Sequence, residues 1–271
     1  MGALGAKEVG AGGESCGFNG LGDVEDVVAL GDGEGLGVDV AADEAVVDLG
    51  WRDRVVEAVL AGLGSRDAFL AAARQHTELI AEWAEPGAPP PASLEGFLFP
   101  DTYRFSRHAT PVQMLTAMVH RFRQSALQLN LNQDVTRTVI MASLIEKEVS
   151  QESERPLVAS VFVNRLAQGM PLATDPTVIY AALLEDRWRG TIYASDLQSP
   201  SPYNTYKHTG LPPGPIANPG IAALKAAISP AKTDYLYFVS DAAGHSRFST
   251  SLKEHTEQVQ AYRHAQKTQL Q

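Results

Sequence analysis

Between Val139 and Ile145 the chain reads Val-Ile-Met-Ala-Ser-Leu-Ile, and a carboxylate, Glu146, follows at once. Val139, Ile140, Met141, Leu144 and Ile145 leave only a narrow polar arc on a helix. The segment Asp134 to Val149 therefore predicts a core helix, which other elements must surround. Asn132 is the residue placed to cap it. Glu146 falls at the polar edge of the apolar arc, Ser143 lies one turn behind, and Glu148 faces elsewhere. Partial burial favours the protonated form of a carboxyl, as a general acid working near neutral pH requires. On the residues alone, a single helical glutamate is more often an ordinary surface charge.

Charge is distributed unevenly. The net charge is -10. Residues 1–50 hold one basic side chain, Lys7, and eleven acidic ones, so residues 51–271 are neutral. No basic stripe points to nucleic acid. Thirteen glycines in the first fifty positions make ordering expensive, and this stretch reads as a disordered acidic leader or a non-native one. Cys16 is the only cysteine, which excludes an intrachain disulfide. No run of about 18 apolar residues suggests a membrane helix, and no signal peptide is visible.

Residues 51–85 read as helical, through Val55, Val56, Val59, Leu60 and Leu63 and then a second run from Ala68 to Trp83. Pro89 to Pro91 break that pattern. Helices are expected at 111–129, with Pro111 in the first turn, and at 153–168, capped by Ser153 and ended by Gly169. Another is expected near 176–185, and one from Asn218 to about Ser229, with Asn218 as its cap. Tyr235–Ser240 and His245–Thr250 predict a hairpin turning at Asp241 to Gly244. A polar helix over 251–268 closes the chain. The sum is an α+β fold: helices within 111–168 carry Glu146, and a small antiparallel sheet includes 235–250.

The long segment Ser199 to Gly220 is rich in tyrosine, amides and proline. Tyr203, Tyr206, Leu211 and Ile216 argue against disorder. Tyrosine faces and amide donors suit sugar recognition, and a structural loop is an equal reading. Thr174-Asp-Pro-Thr177 reads first as a helix start, with Asp175 favoured by the macrodipole. Glu95 and Asp101 are further carboxyls, each either a cleft residue or a turn residue. The seven histidines lack metal-ligand spacing, so no metal is expected. No nucleotide-binding glycine loop and no GxSxG motif occurs.

Three stretches carry a resemblance. They are LEGFLFPDTYRF (94–105), MASLIEKEVSQESERPLVASVFVNRLAQGMPLATDPTVIYA (141–181) and SPYNTYKHTGLPPGPIANPGIAALKAAISPAKTDYLYFVSDAAGHSRFST (201–250). With the helix that follows, the chain resembles the YceG-like endolytic peptidoglycan transglycosylases over roughly residues 90–265. The resemblance implies cleavage of the β-1,4 bond between N-acetylmuramic acid and N-acetylglucosamine in nascent strands, leaving 1,6-anhydro ends and terminating elongation. It puts the catalytic carboxyl at Glu146. It carries over Asn204, Tyr206, Asp175 and Glu95 as cleft residues, and Ser143 is kept beside them as a substrate-side candidate. No cofactor is expected, and no metal. The implied partners are glycan strands and peptidoglycan synthases, at the inner membrane with the catalytic domain in the periplasm. A glycan-binding scaffold without turnover and a hydrolytic muramidase are the alternatives.

Family members begin with a membrane anchor and a LysM-like region. Residues 1–50 show no anchor, and residues 51–92 are short for a LysM-like unit, so that region is expected to be truncated or absent. The expected division is a leader over 1–50, a helical remnant with its proline breaker over 51–92, and a catalytic domain over 93–268.

Overall fold

Helices supply most of the packing, and the strands pair two by two. The computed structural model describes residues 44–48, 66–84, 87, 89–106, 108–149, 151–241 and 245–269. The leader, Cys16 and the helix expected over 51–65 lie outside the described residues. So do 242–244, the tip of the expected hairpin. The chain divides into two units: one takes its described residues from Gly22–Val139 and Ala217–Ile221, the other from Ile140–Ile216 and Ala222–Gln271.

In the first unit, β1 (Glu44–Asp48) pairs antiparallel with β2 (Thr102–Ser106), Val46 opposite Arg104. Helix α1 (Arg66–Gln75) gives way to a 3₁₀ helix over Thr77–Trp83, so the run expected from Ala68 to Trp83 is helical but changes its winding. Helix α2 (Pro111–Gln128) starts with proline, as expected. It also has a capping box: the Thr110 hydroxyl accepts from the Gln113 N–H, and the Gln113 side chain accepts from the Thr110 N–H. The rings of Trp83, Phe97 and Phe122 meet pairwise with centroids 5.0–5.4 Å apart and, with Leu94, Met114, Leu115 and Met118, form this unit's core.

Asn218 behaves differently from expectation. Helix α7 (Ile221–Ile228) begins three residues after it. The Asn218 Oδ1 instead accepts from the N–H groups of Gly96 (2.8 Å) and Leu98 (3.1 Å). A side chain spent on a loop some 120 positions earlier is no longer available to cap.

The second unit carries the end of α3 (Val135–Glu148), then α4 (Arg155–Ala167), α5 (Asp175–Leu184), the short α6 (Ala194–Leu197) and most of α7. The strands β3 (Tyr237–Ser240) and β4 (Ser246–Ser249) pair antiparallel as expected, and α8 (Leu252–Gln269) follows. Two expected caps move. Asp134, with φ 48°, offers its carbonyl to the Thr138 N–H, so the helix starts after it and Asn132 lies too early to cap. Glu154, rather than Ser153, is the N-cap residue of α4. Gly169 ends that helix at φ 64°, in the left-handed region that glycine tolerates.

The core of this unit is apolar and dense. Leu144, Ile145, Val158, Val161, Phe162, Leu172, Val178, Ile216 and Leu224 are all buried. Polar side chains of α4 tie down the approach to the hairpin. The Asn164 amide donates to the carbonyls of Thr233 and Tyr235, and Arg165 Nε donates to that of Leu236 at 2.7 Å. Among the described residues, no helix is long and apolar enough to cross a membrane.

Candidate active site

The second unit gathers most of the expected site residues around the end of α3. Ile140 to Ile145 are buried along that helix, and Glu146 stands where the buried run ends. Its side chain is 10% exposed, a sheltered position for a carboxyl. The turn over 151–154 brings α4 back, and Arg155 Nη2 donates to Glu146 Oε1 at 3.1 Å. Arg155 is itself only 2% exposed. Two influences therefore act on Glu146: burial favours its neutral form, and the guanidinium favours its charged form.

Glu148 does not face away from the other site residues, as its place on the helix suggested. The Thr174 hydroxyl donates to Glu148 Oε1 at the start of α5. Next in sequence, Asp175 accepts a hydrogen bond from the Tyr206 hydroxyl at 2.5 Å. Burial drives the Tyr206 phenol far above its ordinary pKa, and the Asp175 and Glu148 carboxylates push the same way while Arg165 opposes them. Tyr206 thus remains a hydrogen-bond donor throughout the physiological range. Arg165 is held below the usual arginine range, chiefly by burial, with Tyr237, Tyr206 and Glu148 opposing. Its Nη1 donates to the Leu172 carbonyl at 2.7 Å, which fixes the chain just before Thr174.

Two expected contact residues are buried in internal hydrogen bonds, and a third lies in the other unit. Asn204 is fully buried, and its amide donates to the carbonyls of Leu197 and Ser199 while its Oδ1 accepts from the Tyr206 N–H. It shapes the loop that presents Tyr206, and its buried amide faces no solvent. Ser143 is also fully buried; its hydroxyl donates to the Ile140 carbonyl and accepts from the Ile216 N–H at 3.0 Å. It latches the far end of the tyrosine-rich loop to α3 rather than facing a ligand. Glu95 belongs to the first unit, in the turn that Asn218 holds, where its N–H donates to the Ser93 hydroxyl. Thr205 completes the loop's anchorage: its hydroxyl accepts from the Thr174 N–H and meets the Thr177 hydroxyl at 2.9 Å.

Sequence reasoning missed Arg155, Glu148 and Arg165. The signal for Arg155 was faint: a cation opening a helix, against the macrodipole, immediately before proline. Among the described residues, no group of three or more histidine, cysteine, aspartate or glutamate side chains is arranged to hold a metal ion.

Comparison with known proteins agrees with the pattern of residues. The chain is 44% identical over 176 residues to the endolytic murein transglycosylase of Bacillus subtilis (strain 168), covering 62% of this chain and 48% of that protein. It is 34% identical over 185 residues to the endolytic murein transglycosylase of Streptococcus pneumoniae serotype 2 (strain D39), covering 61% of this chain and 32% of the relative. The chain therefore spans about half or less of the length of these curated relatives. The fold is similar to the 2.6 Å crystal structure of the yceG-like protein lmo1499 from Listeria monocytogenes, with a TM-score of 0.64 and 32% identity over 79% of this chain and 74% of that one. The model of the YceG-like family matches residues 39–261, a span that takes in α3, the tyrosine-rich loop and the hairpin alike, and the chain belongs to that family.

Proposed function

We propose that this chain is an endolytic lytic transglycosylase. It cleaves the β-1,4 bond between N-acetylmuramic acid and N-acetylglucosamine in nascent peptidoglycan and leaves a 1,6-anhydro end. Residues 93–268 form its catalytic region. The observation that carries the reading is the sheltered carboxyl of Glu146 at the end of a core helix, in a chain of this family.

The chemistry needs a single carboxyl. Glu146 gives its proton to the glycosidic oxygen as the bond from C1 to that oxygen breaks. The carboxylate then takes the proton of the C6 hydroxyl as that oxygen bonds to C1 of the same sugar. No water is consumed, and the intramolecular attack has the high effective concentration that a bulk-water attack lacks. A two-carboxylate glycosidase would need a second acid across the bond. The hydroxyl of Tyr206 gives its one proton to Asp175, which leaves its oxygen as a fixed acceptor for a sugar hydroxyl on the loop whose shape Asn204 maintains. The same reading sets the protein at the bacterial inner membrane, its catalytic region facing the periplasm where new strands emerge. Peptidoglycan synthases are its partners there, and strand termination is the outcome.

Mass spectrometry of digested peptidoglycan tests this directly. The wild-type chain generates anhydro ends, and Glu146→Gln folds normally and generates none. Reducing ends in place of anhydro ends mean hydrolysis by water. No new ends from the wild type mean a glycan-binding scaffold. Full activity in a purified Glu146→Gln variant removes that residue from the chemistry.

A further inference from the structure

A guanidinium buried at the first position of a helix is a costly arrangement. Arg155 opens α4, where the macrodipole is positive and disfavours a cation. It heads the fully buried side chains by size. Removing a cation from water is expensive even after relaxation, so a good partner is required. The turn before α4 positions it: the Glu154 N–H donates to the Gln151 carbonyl at 3.1 Å and the Arg155 N–H to that of Glu152 at 3.3 Å. The outcome is the 3.1 Å contact with Glu146.

The preceding residue fixes the start of α4 from a second direction. The Glu154 carboxylate accepts from the Ser246 N–H at 3.0 Å and from the Ser246 hydroxyl at 2.6 Å, both on β4. A carboxylate at that N-cap position suits the dipole that Arg155 opposes. Consecutive side chains thus pin the helix start to the hairpin on one side and to Glu146 on the other.

We propose that Arg155 is a positioning residue for Glu146: it holds the carboxyl in one orientation and meets the negative charge that appears there in mid-reaction. The proposal rests on the transglycosylase reading of Glu146. When the glycosidic oxygen takes the proton, a carboxylate is left behind; when the C6 hydroxyl returns a proton, the charge disappears. A guanidinium already in place stabilises that transient charge with no reorganisation, which mobile water cannot do. The rigid, buried guanidinium holds its Nη2 at one place against Oε1, which a flexible lysine ammonium does not. Lys147 and Glu148 follow Glu146 on its own helix; α4 carries two arginines, Arg155 and Arg165, and Arg155 is the one whose guanidinium donates to the Glu146 carboxyl.

The experiment compares Arg155→Met and Arg155→Lys with wild type and Glu146→Gln, using purified glycan strands and anhydro-end formation as the readout. Loss of one preorganised electrostatic partner costs roughly 100-fold in kcat, so the methionine variant should fall by about that factor with KM within about twofold. Lysine should restore about a tenth of the wild-type rate, because the charge returns without the rigid geometry of the guanidinium. The alkaline limb of the rate profile moves to higher pH in the methionine variant, since the carboxyl has lost the partner that favours its charged form. Wild-type kcat in either folded variant overturns the proposal. So does a rate loss that follows lost thermal stability alone with an unmoved profile. The lysine variant decides the case if the methionine variant does not fold. An active Glu146→Gln would instead defeat the reading of Glu146, and it is scored separately.

Discussion

Replacing Asn204 with alanine separates two meanings of that residue, a sugar contact and a loop clamp. Its side chain makes three hydrogen bonds, at 3.1 Å to the Leu197 carbonyl, 2.8 Å to the Ser199 carbonyl and 3.1 Å from the Tyr206 N–H. All lie within a residue that has no exposed surface. A net hydrogen bond is worth about 1 kcal/mol, and a buried partner left unsatisfied costs about 1–3 kcal/mol. Water entering the space left by the amide recovers part of this, so the expected loss is about 3 kcal/mol. For a domain of this size that lowers Tm by about 6–12 °C. Circular dichroism melting of wild type and Asn204→Ala reads it, with glycan binding measured in the same preparations below the transition. Asn204→Asp should be as damaging, because a carboxylate would then face two carbonyls that need donors. A melting change equivalent to less than about 1 kcal/mol, with a large fall in glycan affinity, would refute the clamp and return Asn204 to the sugar.

Two predictions concern pH. Burial raises the phenol pKa of Tyr206 and of Tyr103 above the ordinary 10.0, with the charge of Asp175 adding to the first and that of Asp101 to the second. Above pH 10 the unfolded chain releases protons that the folded chain retains, so stability is complete below that value and falls as pH rises past it. Urea midpoints measured from about pH 9 to 11 should decline, and Tyr206→Phe should reduce the slope; an unchanged slope would mean the phenol titrates freely. His255 behaves in the opposite sense, since burial first and then the Arg165 charge lower its pKa below 6.5. The unfolded chain gains a proton as pH falls below 6.5 while the folded chain resists, so stability present above that value is lost toward acid pH. The ring stacks on Tyr237 with centroids 5.2 Å apart, so hydrogen exchange in α8 should accelerate in mildly acidic buffer. His255→Phe should remove that dependence.

The helices over Pro111–Gln128, Asp175–Leu184 and Leu252–Gln269 and the hairpin of β3 and β4 were legible because their signals are local. Proline in the first turn of the first two helices and alternating aromatics in the hairpin act within a few positions. Glu146 was legible as the residue that ends an apolar helical run, and the motif around it pointed to the family. The partners of that motif were not legible. Asn218 looked like a helix cap because capping is what asparagine does before proline, yet it holds the N–H groups of Gly96 and Leu98. Ser143 and Asn204 looked available to a ligand because hydroxyls and amides bind sugars, yet both are consumed inside the protein.

The sequence by itself determined the longer helical segments, the hairpin, and which carboxyl follows the buried run of the core helix, but not the short helix over Ala194–Leu197. Periodicity and backbone preference are properties of neighbouring residues, and they survive any change in the path of the chain. Only the tertiary structure decided that Arg155 meets Glu146, that Thr174 meets Glu148 and that Tyr206 donates to Asp175. Those pairings depend on how the turn at 151–154 and the loop at 199–216 return to α3. A polar side chain takes whichever partner the returning chain brings within about 3 Å, and its own neighbourhood in the sequence carries no record of that choice.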